Sequence, residues 1–486
     1  MRKTLLTGAL FLATLPVFAQ APQQQYIEAA VRKAPLQGAL VGISVKDVKG
    51  KSLVSYRADE RLMPASNLKL VTTGVALHAF GEDYRFRTGI GYTGEIGADG
   101  TLSGDVYIIG GGDPALASAD SVALKPEALF WKWKTLLREA GIRRIDGRIV
   151  GDGSAYEGYL EHASWQYDDM GTYYGSGMSA LCFYENAIDF GVAASAEGSP
   201  VTFTQKYPET PWLHLQNYGV TGPAGTGNSL YLFTTDLAPY AELRGSFAID
   251  RKPKTEHFSN KYGALTCAYY FWKNLKETGW EVTGIYADVD HNGYLRGEDF
   301  VPLEKASKPR EIGFTEGPRL QEIARITNFR SDNFYAEGLL RAMGETATGA
   351  AVYDSCLVAE KVVLEDLGMD LSAVSLADGS GLSRTNYVTA GWMTDFLLKM
   401  KDSPVFPAFL STLPHPGEGT LSSLKVAPRR VVCKSGSMGG TLCYSGYILD
   451  AEGRVEKVFS ILTNNAAAKA SEVRATLQRI LALLIE

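Results

Sequence analysis

The chain has 486 residues, of which 45% are hydrophobic and 21% charged, with a formal net charge of −6. This is an ordinary globular composition with apolar content for more than one core, and the length suggests two to three domains. No basic run or stripe occurs, which excludes nucleic acid as an expected partner. The five cysteines, Cys182, Cys267, Cys356, Cys433 and Cys443, are too few and too scattered for a disulfide scaffold. None of the six histidines falls in an H-x-x-x-H or cysteine-paired spacing, so neither a metal site nor a cofactor is indicated.

The N-terminus reads as an export signal over residues 1–19. Arg2 and Lys3 precede an apolar run from Leu5 to about Phe18; Val17 and Ala19 fit a small-residue cleavage site, leaving Gln20 as the new N-terminus. Loss of Arg2 and Lys3 takes the formal charge from −6 to −8. The run is short for a membrane span and no second one occurs, so the expectation is an exported protein, periplasmic or extracellular, with at most a loose membrane association.

Residues 23–34 read as a short amphipathic helix. Ala39–Val45 and Ser52–Arg57 alternate across a Lys/Gly-rich turn, as a hairpin does. Pro64-Ala65-Ser66 opens a helix to about Phe80, with Gly81 as its stop. From about Tyr84 to Lys308 strand-like runs such as Thr88–Tyr92 and Asp105–Ile109 alternate with glycine-rich turns, and two helices stand out at about 126–139 and 261–278. The 51 glycines suit such a turn-rich region. Helices follow at about 318–326, 332–345 and 352–367. Three strands come next, Arg430–Lys434, Thr441–Leu449 and Val455–Leu462, and then an amphipathic helix over Ala470–Leu484. Both chain ends thus supply strands and a helix, and the simplest assembly is one sheet built from them with the middle inserted. Cys433 and Cys443 flank a glycine-rich turn; they read either as partners across a hairpin or as two separate buried thiols.

Three short motifs carry chemistry. They are Ser66-Asn67-Leu68-Lys69, Ser331-Asp332-Asn333 and Lys434-Ser435-Gly436. A chain of this size holds roughly one or two S-x-x-K by chance, and a second copy, Ser422 to Lys425, lies among prolines with no long helix after it. In isolation Ser66 reads as a plain N-cap with Lys69 in solvent, Ser331 as the N-cap of the helix that follows, and Lys434 as an exposed edge lysine. The ordered combination is far rarer than any single match. Residues three apart on a helix share a face, so Lys69 lies beside Ser66. A serine hydroxyl needs a base, and a lysine serves when burial and nearby cations lower its pKa. The trio is a signature of penicillin-binding proteins and class A β-lactamases.

With these motifs the sequence resembles the class C low-molecular-mass penicillin-binding proteins, the D-alanyl-D-alanine carboxypeptidase/endopeptidase family. Gly110-Gly111-Gly112-Asp113-Pro114, Asp146 to Asp152 and Asp378 to Arg384 are also similar to family stretches, and the gap of 265 positions between Ser66 and Ser331 is one the family fills with extra domains. The resemblance implies a mixed α/β fold. A transpeptidase/β-lactamase-like domain over 20–86 and 309–486 has an antiparallel sheet flanked by helices, and 87–308 is a large, mostly-β insertion of two nested units.

It also implies roles. Ser66 is the nucleophile, Lys69 the base, and Ser331 a proton relay to the leaving amine. Asn333 orients Lys69 and the substrate amide. Lys434 supplies charge for the terminal carboxylate and depresses Lys69. Ser435, Gly436 and Ser437 line the substrate strand, with the oxyanion between the backbone N–H groups of Ser66 and Ser437. Trp165, Asp168 and Tyr173, with Arg384 and Met438, match a side pocket for an aminopimelate-like end; Asp168 would take the ammonium and Arg384 the carboxylate, although Trp165 and Tyr173 read equally as interdomain packing. The implied partners are peptidoglycan stem peptides and β-lactam antibiotics. Two alternatives stay open: a serine β-lactamase, against which no E-x-x-L-N lies between Ser331 and Lys434, and a non-catalytic peptidoglycan-binding protein on the same fold.

Overall fold

The computed structural model describes residues 22–289, 294–296, 301–302 and 308–485. The signal-peptide reading over 1–19 lies outside these residues, and among them no helix is long and apolar enough to cross a membrane.

Both ends of the chain meet in one five-stranded antiparallel sheet. Its order is Ser52–Tyr56, Leu40–Asp47, Val455–Asn464, Thr441–Leu449, Val431–Met438. The side chains obey the two-residue period of strands, and each face buries a separate cluster. Val41, Ile43, Val45, Val431, Phe459 and Ile461 face the helices Pro22–Val31 and Ala470–Ile485. Val432, Tyr447, Val458 and Leu462 face a larger helical layer that includes Lys69–Phe80, Asn333–Thr348 and Ala390–Lys401. The last of these helices was not anticipated; Thr389 caps it by accepting from the Trp392 N–H at 3.0 Å.

The same parity settles the cysteines. Cys433 lies opposite Gly446 and Cys443 opposite Gly436. Cys433 joins the cluster on one face and Cys443 that on the other. They cannot bridge, and all five cysteines are free and buried.

The middle of the chain forms further sheets. Arg85–Tyr92 pairs antiparallel with Arg310–Arg319, so the strands entering and leaving this region are neighbours in a mixed seven-stranded sheet. Helices Pro126–Glu139 and Gly263–Glu277 pack there around Trp133 and Phe271. The strands Ala187–Ala193, Thr202–Tyr207, Tyr231–Thr235, Ala238–Arg244 and Lys254–Ser259 surround a separate small core that includes Phe190, Phe247 and Phe258. The glycines of Gly110-Gly111-Gly112 are explained by close approach. A Cβ on Gly111 would stand 2.2 Å from the Arg87 carbonyl, and one on Gly112 (φ +82°) 1.8 Å from the Tyr156 hydroxyl.

One buried cation ties the middle of the chain to the helical layer. Arg341, 1% exposed, donates to the carbonyls of Glu157, Tyr159, Leu160 and Ala351. Its guanidinium therefore holds the 157–160 loop against helix Asn333–Thr348.

Burial pushes the thiols of Cys182, Cys356, Cys433 and Cys443 up to about 12. Thiol titration of the native protein at pH 8 is expected to find almost none reactive. In guanidinium it should find all five, with or without prior reduction; fewer without reduction would mean a disulfide.

Candidate active site

Ser66 does not begin a regular α-helix. Residues Ala65–Leu68 form a 3-10 turn, and the α-helix proper runs Lys69–Phe80. Ala65 has φ +48°, a left-handed conformation that costs about 1 kcal/mol or more for a residue with a Cβ. Two glycines press backbone against this turn. A Cβ on Gly381 (φ +80°) would lie 2.0 Å from the Ala65 carbonyl, and one on Gly436 would lie 2.6 Å from the Pro64 carbonyl and 3.0 Å from the Ser66 nitrogen. Gly436 is thus the residue that lets the strand Val431–Met438 approach Ser66.

Lys69 is fully buried. Its Nζ donates to Ser66 Oγ at 3.1 Å, to Asn333 Oδ1 at 2.6 Å and to the Ser380 carbonyl at 2.6 Å. Burial lowers its pKa to about 8, and the carboxylates of Asp378, Glu337 and Asp332 pull the other way. Lys434 is equally buried, and its Nζ donates to Ser331 Oγ at 2.9 Å and to the Ser435 carbonyl at 2.7 Å. Burial and then the like charge of Lys69 hold its pKa well below the usual lysine value.

Ser331 closes a π-helical turn over Thr327–Ser331 with φ +61°. It is not an N-cap. That role falls to Asp332, whose Oδ1 accepts from the Tyr335 N–H at 3.0 Å. A left-handed residue and a π turn beside a reactive group are the strained features that cluster at functional sites. Asn333 then donates through Nδ2 to the Tyr174 carbonyl at 3.0 Å while its Oδ1 accepts from Lys69. The π turn, helix and strand thus converge on one point.

Several contributors carry no sequence motif. Glu337, one helical turn after Asn333, accepts from the Ser380 N–H at 2.8 Å and from the Gly379 N–H at 3.3 Å. It thereby aims the Ser380 carbonyl at Lys69. Asp378 braces the same loop, accepting from Gly381 and Ser383 N–H groups and from Asn386 Nδ2. The four-residue spacing of Asn333 and Glu337 on one helix face was the available signal. On the other side, Asn67 Nδ2 donates to Ser445 Oγ at 2.7 Å and anchors the turn to the sheet.

A cavity of about 480 Å³ opens over Ser66. Tyr173, Ser331, Asn333, Arg384, Ser435, Ser437 and Met438 line it, as does Asp169. Trp165 does not: it is buried, and its Nε1 donates to Asp378 Oδ2 at 2.9 Å, which is the packing alternative. Asp168 does not line it either; it lines a neighbouring cavity, and Asp169 is the acidic residue that lines the Ser66 cavity with Arg384. Burial raises the Asp169 pKa, and Arg384 draws it back. Consecutive residues of an irregular loop face different ways, and no periodicity there marks which one points inward.

A serine hydroxyl beside a buried amine, a second buried amine that reaches a second serine, and a strand edge next to both form a constellation able to transfer an acyl group. The chain matches the family model described as D-Ala-D-Ala carboxypeptidase 3 (S13) over residues 23–484. It is similar to a D-alanyl-D-alanine carboxypeptidase of an Actinomadura species, with 30% identity over 91% of this chain and 81% of that one. It is also similar to the D-alanyl-D-alanine carboxypeptidase DacB of Haemophilus influenzae, with 24% identity over 92% and 88%. The fold matches the crystal structure of penicillin binding protein 4 (dacB) from Haemophilus influenzae with a TM-score of 0.79 at 22% identity, covering 94% of this chain and 98% of the other.

If Lys69 is the base, only its neutral form accepts the serine proton. Acylation is then expected to rise about tenfold per pH unit below a midpoint near 8 and to level off above it. Stopped-flow acylation by a β-lactam over pH 6–10 measures this; a flat profile would exclude Lys69 as the titrating base.

Proposed function

The chain belongs to the D-Ala-D-Ala carboxypeptidase 3 (S13) family, and on that premise we propose that Ser66 is the nucleophile of a serine D,D-peptidase that cleaves D-alanyl bonds of peptidoglycan stem peptides. The enzyme is a serine-type carboxypeptidase by its family. The observation that carries the assignment of Ser66 is the Lys69 ammonium, buried with the Ser66 hydroxyl as one of its three acceptors.

The reaction follows from the contacts. Neutral Lys69 takes the Ser66 proton as Oγ attacks the D-alanyl carbonyl carbon. The oxyanion rests between the Ser66 and Ser437 backbone N–H groups. As the C–N bond breaks, the proton that Lys69 took from Ser66 passes by way of Ser331 to the leaving amine, which leaves Lys69 neutral again; Lys434 Nζ contacts Ser331 Oγ at 2.9 Å. Water attacks the acyl-serine and gives its proton to Lys69, which returns it to Ser66 Oγ as the ester C–O bond breaks and the acid departs. Lys434, Ser435 and Ser437 hold the terminal carboxylate of a carboxypeptidase substrate. In a cross-linked substrate the same carbonyl is attacked and only the leaving amine differs, so the fold supports carboxypeptidase and endopeptidase turnover alike.

For the side-chain end of the stem peptide we assign Asp169 in place of Asp168, with Arg384, Tyr173 and Met438. Asp169 and Arg384 share one cavity wall and offer opposite charges to an ammonium and a carboxylate on one carbon. We further propose export under the signal of residues 1–19, and a peptidase unit of 20–86 and 309–486 carrying 87–308 as its insertion. The shared sheet of the two chain ends supports this division.

Intact-mass analysis after benzylpenicillin should show one stoichiometric, slowly released adduct on the wild type and none on Ser66→Ala. An adduct on neither folded protein would favour the binding-module reading, and rapid penicillin turnover the β-lactamase. Asp169→Asn is expected to raise KM about tenfold for a peptide with an aminopimelate side chain, while a peptide with a neutral side chain at that position changes less than twofold. Equal effects on the two would remove Asp169 from this role.

A further inference from the structure

Beside the Ser66 cavity lies a second one of about 590 Å³, and Tyr173 and Tyr174 belong to both linings. Its far wall comes from the small β core rather than from the peptidase sheet: Tyr231 and Phe233 on the strand Tyr231–Thr235, and Glu256 on Lys254–Ser259. The rings form an aromatic cluster, and the Arg244 guanidinium lies over the Phe233 ring at 5.7 Å. Phe233 meets Tyr231 edge-on at 4.7 Å, and Tyr167 stacks on Phe233 at 4.9 Å while remaining 66% exposed. Asp168 and Glu256 are the acidic residues of its lining.

We propose that this second cavity binds the N-acylated amino sugar to which the stem peptide is attached, an inference that rests on the D,D-peptidase reading. The scissile D-alanyl bond lies at one end of a short stem and the sugar at the other. Four extended residues span at most roughly 14 Å, so a sugar held by this substrate must fall in a site adjoining the catalytic cavity. The chemistry of the walls fits such a ring. The exposed rings of Tyr173 and Tyr174, with the half-buried Tyr231, suit the apolar C–H face of a pyranose, and carboxylates accept from its hydroxyls. A free cation finds part of this charge already used, because Lys254 pairs with Glu256 at 2.7 Å. A second stem peptide, rich in carboxylates, would meet Asp168 and Glu256 as like charges, and the Arg244 guanidinium over the Phe233 ring is already paired with Glu242. A neutral, hydroxyl-bearing ring meets neither obstacle.

The test compares kcat/KM for a disaccharide-linked stem pentapeptide with that for the same pentapeptide lacking sugar, in the wild type and in Tyr231→Ala/Phe233→Ala. Glu256→Gln serves as a second, milder variant. The wild type is expected to prefer the sugar-linked substrate at least tenfold. The ratio should fall to about two in the double variant and by about threefold in Glu256→Gln, in protein that still forms a full penicillin adduct. Equal rates on both substrates in the wild type would overturn the proposal, as would a preference that survives in the variants. If the double variant fails to form the adduct, Glu256→Gln alone decides by the same ratio. A wild type that cleaves neither substrate and forms no adduct would instead overturn the peptidase reading, and this inference with it.

Discussion

An ammonium group removed from water costs several kcal/mol unless the protein gives it acceptors, and Lys69 is removed from water entirely. Its three acceptors come from the 3-10 turn just before its helix, from a residue 264 positions later and from one 311 positions later. The site therefore cannot assemble piecemeal. Helix Lys69–Phe80, helix Asn333–Thr348 and the loop at 378–381 must all be in place before the lysine is satisfied. The same crowding that demands these partners makes proton loss easier. One physical condition thus holds the chain's distant parts together and prepares the amine for its chemistry.

The sheet is the frame on which this condition is met. Its two faces are buried by different helices, so the edge strand Val431–Met438 is fixed from both sides and can present Lys434 and Gly436 to the Ser66 turn. The left-handed residues Ala65 and Ser331 lie in the turns that bring Ser66 and Asn333 to Lys69. Each is unfavourable alone, and at Ala65 the close approach of Gly381 shows what holds it.

Much of this was readable in the residues. Ser66, Lys69, Ser331, Asn333 and Lys434 stand out as candidates because the chemistry requires particular side chains at particular spacings. The convergence of both chain ends on one sheet was readable because strand alternation and helix periodicity are strong there. The Ser380 carbonyl was not, since every residue has a carbonyl and only the fold says where it points. Asp168 and Asp169 are chemically identical neighbours, and the loop that carries them lacks a period from which to choose. The strand Arg310–Arg319 was missed because irregular pairing at two places breaks its alternation. Glu337 was missed for another reason: it touches no substrate, and its effect on Lys69 passes through a backbone loop.

The Arg341 contacts have a consequence for how large substrates are chosen. A guanidinium sealed inside the protein, donating to carbonyls on both the 157–160 loop and the end of its own helical layer, is a rivet rather than a latch. Opening that joint would strand a buried charge and several carbonyls at once. The 157–160 loop is accordingly a fixed anchor for the segment that runs on to Asp169 and Tyr173 at the Ser66 cavity. On that side a cell-wall polymer would meet an edge held in place from behind, as grain meets the rim of a sieve.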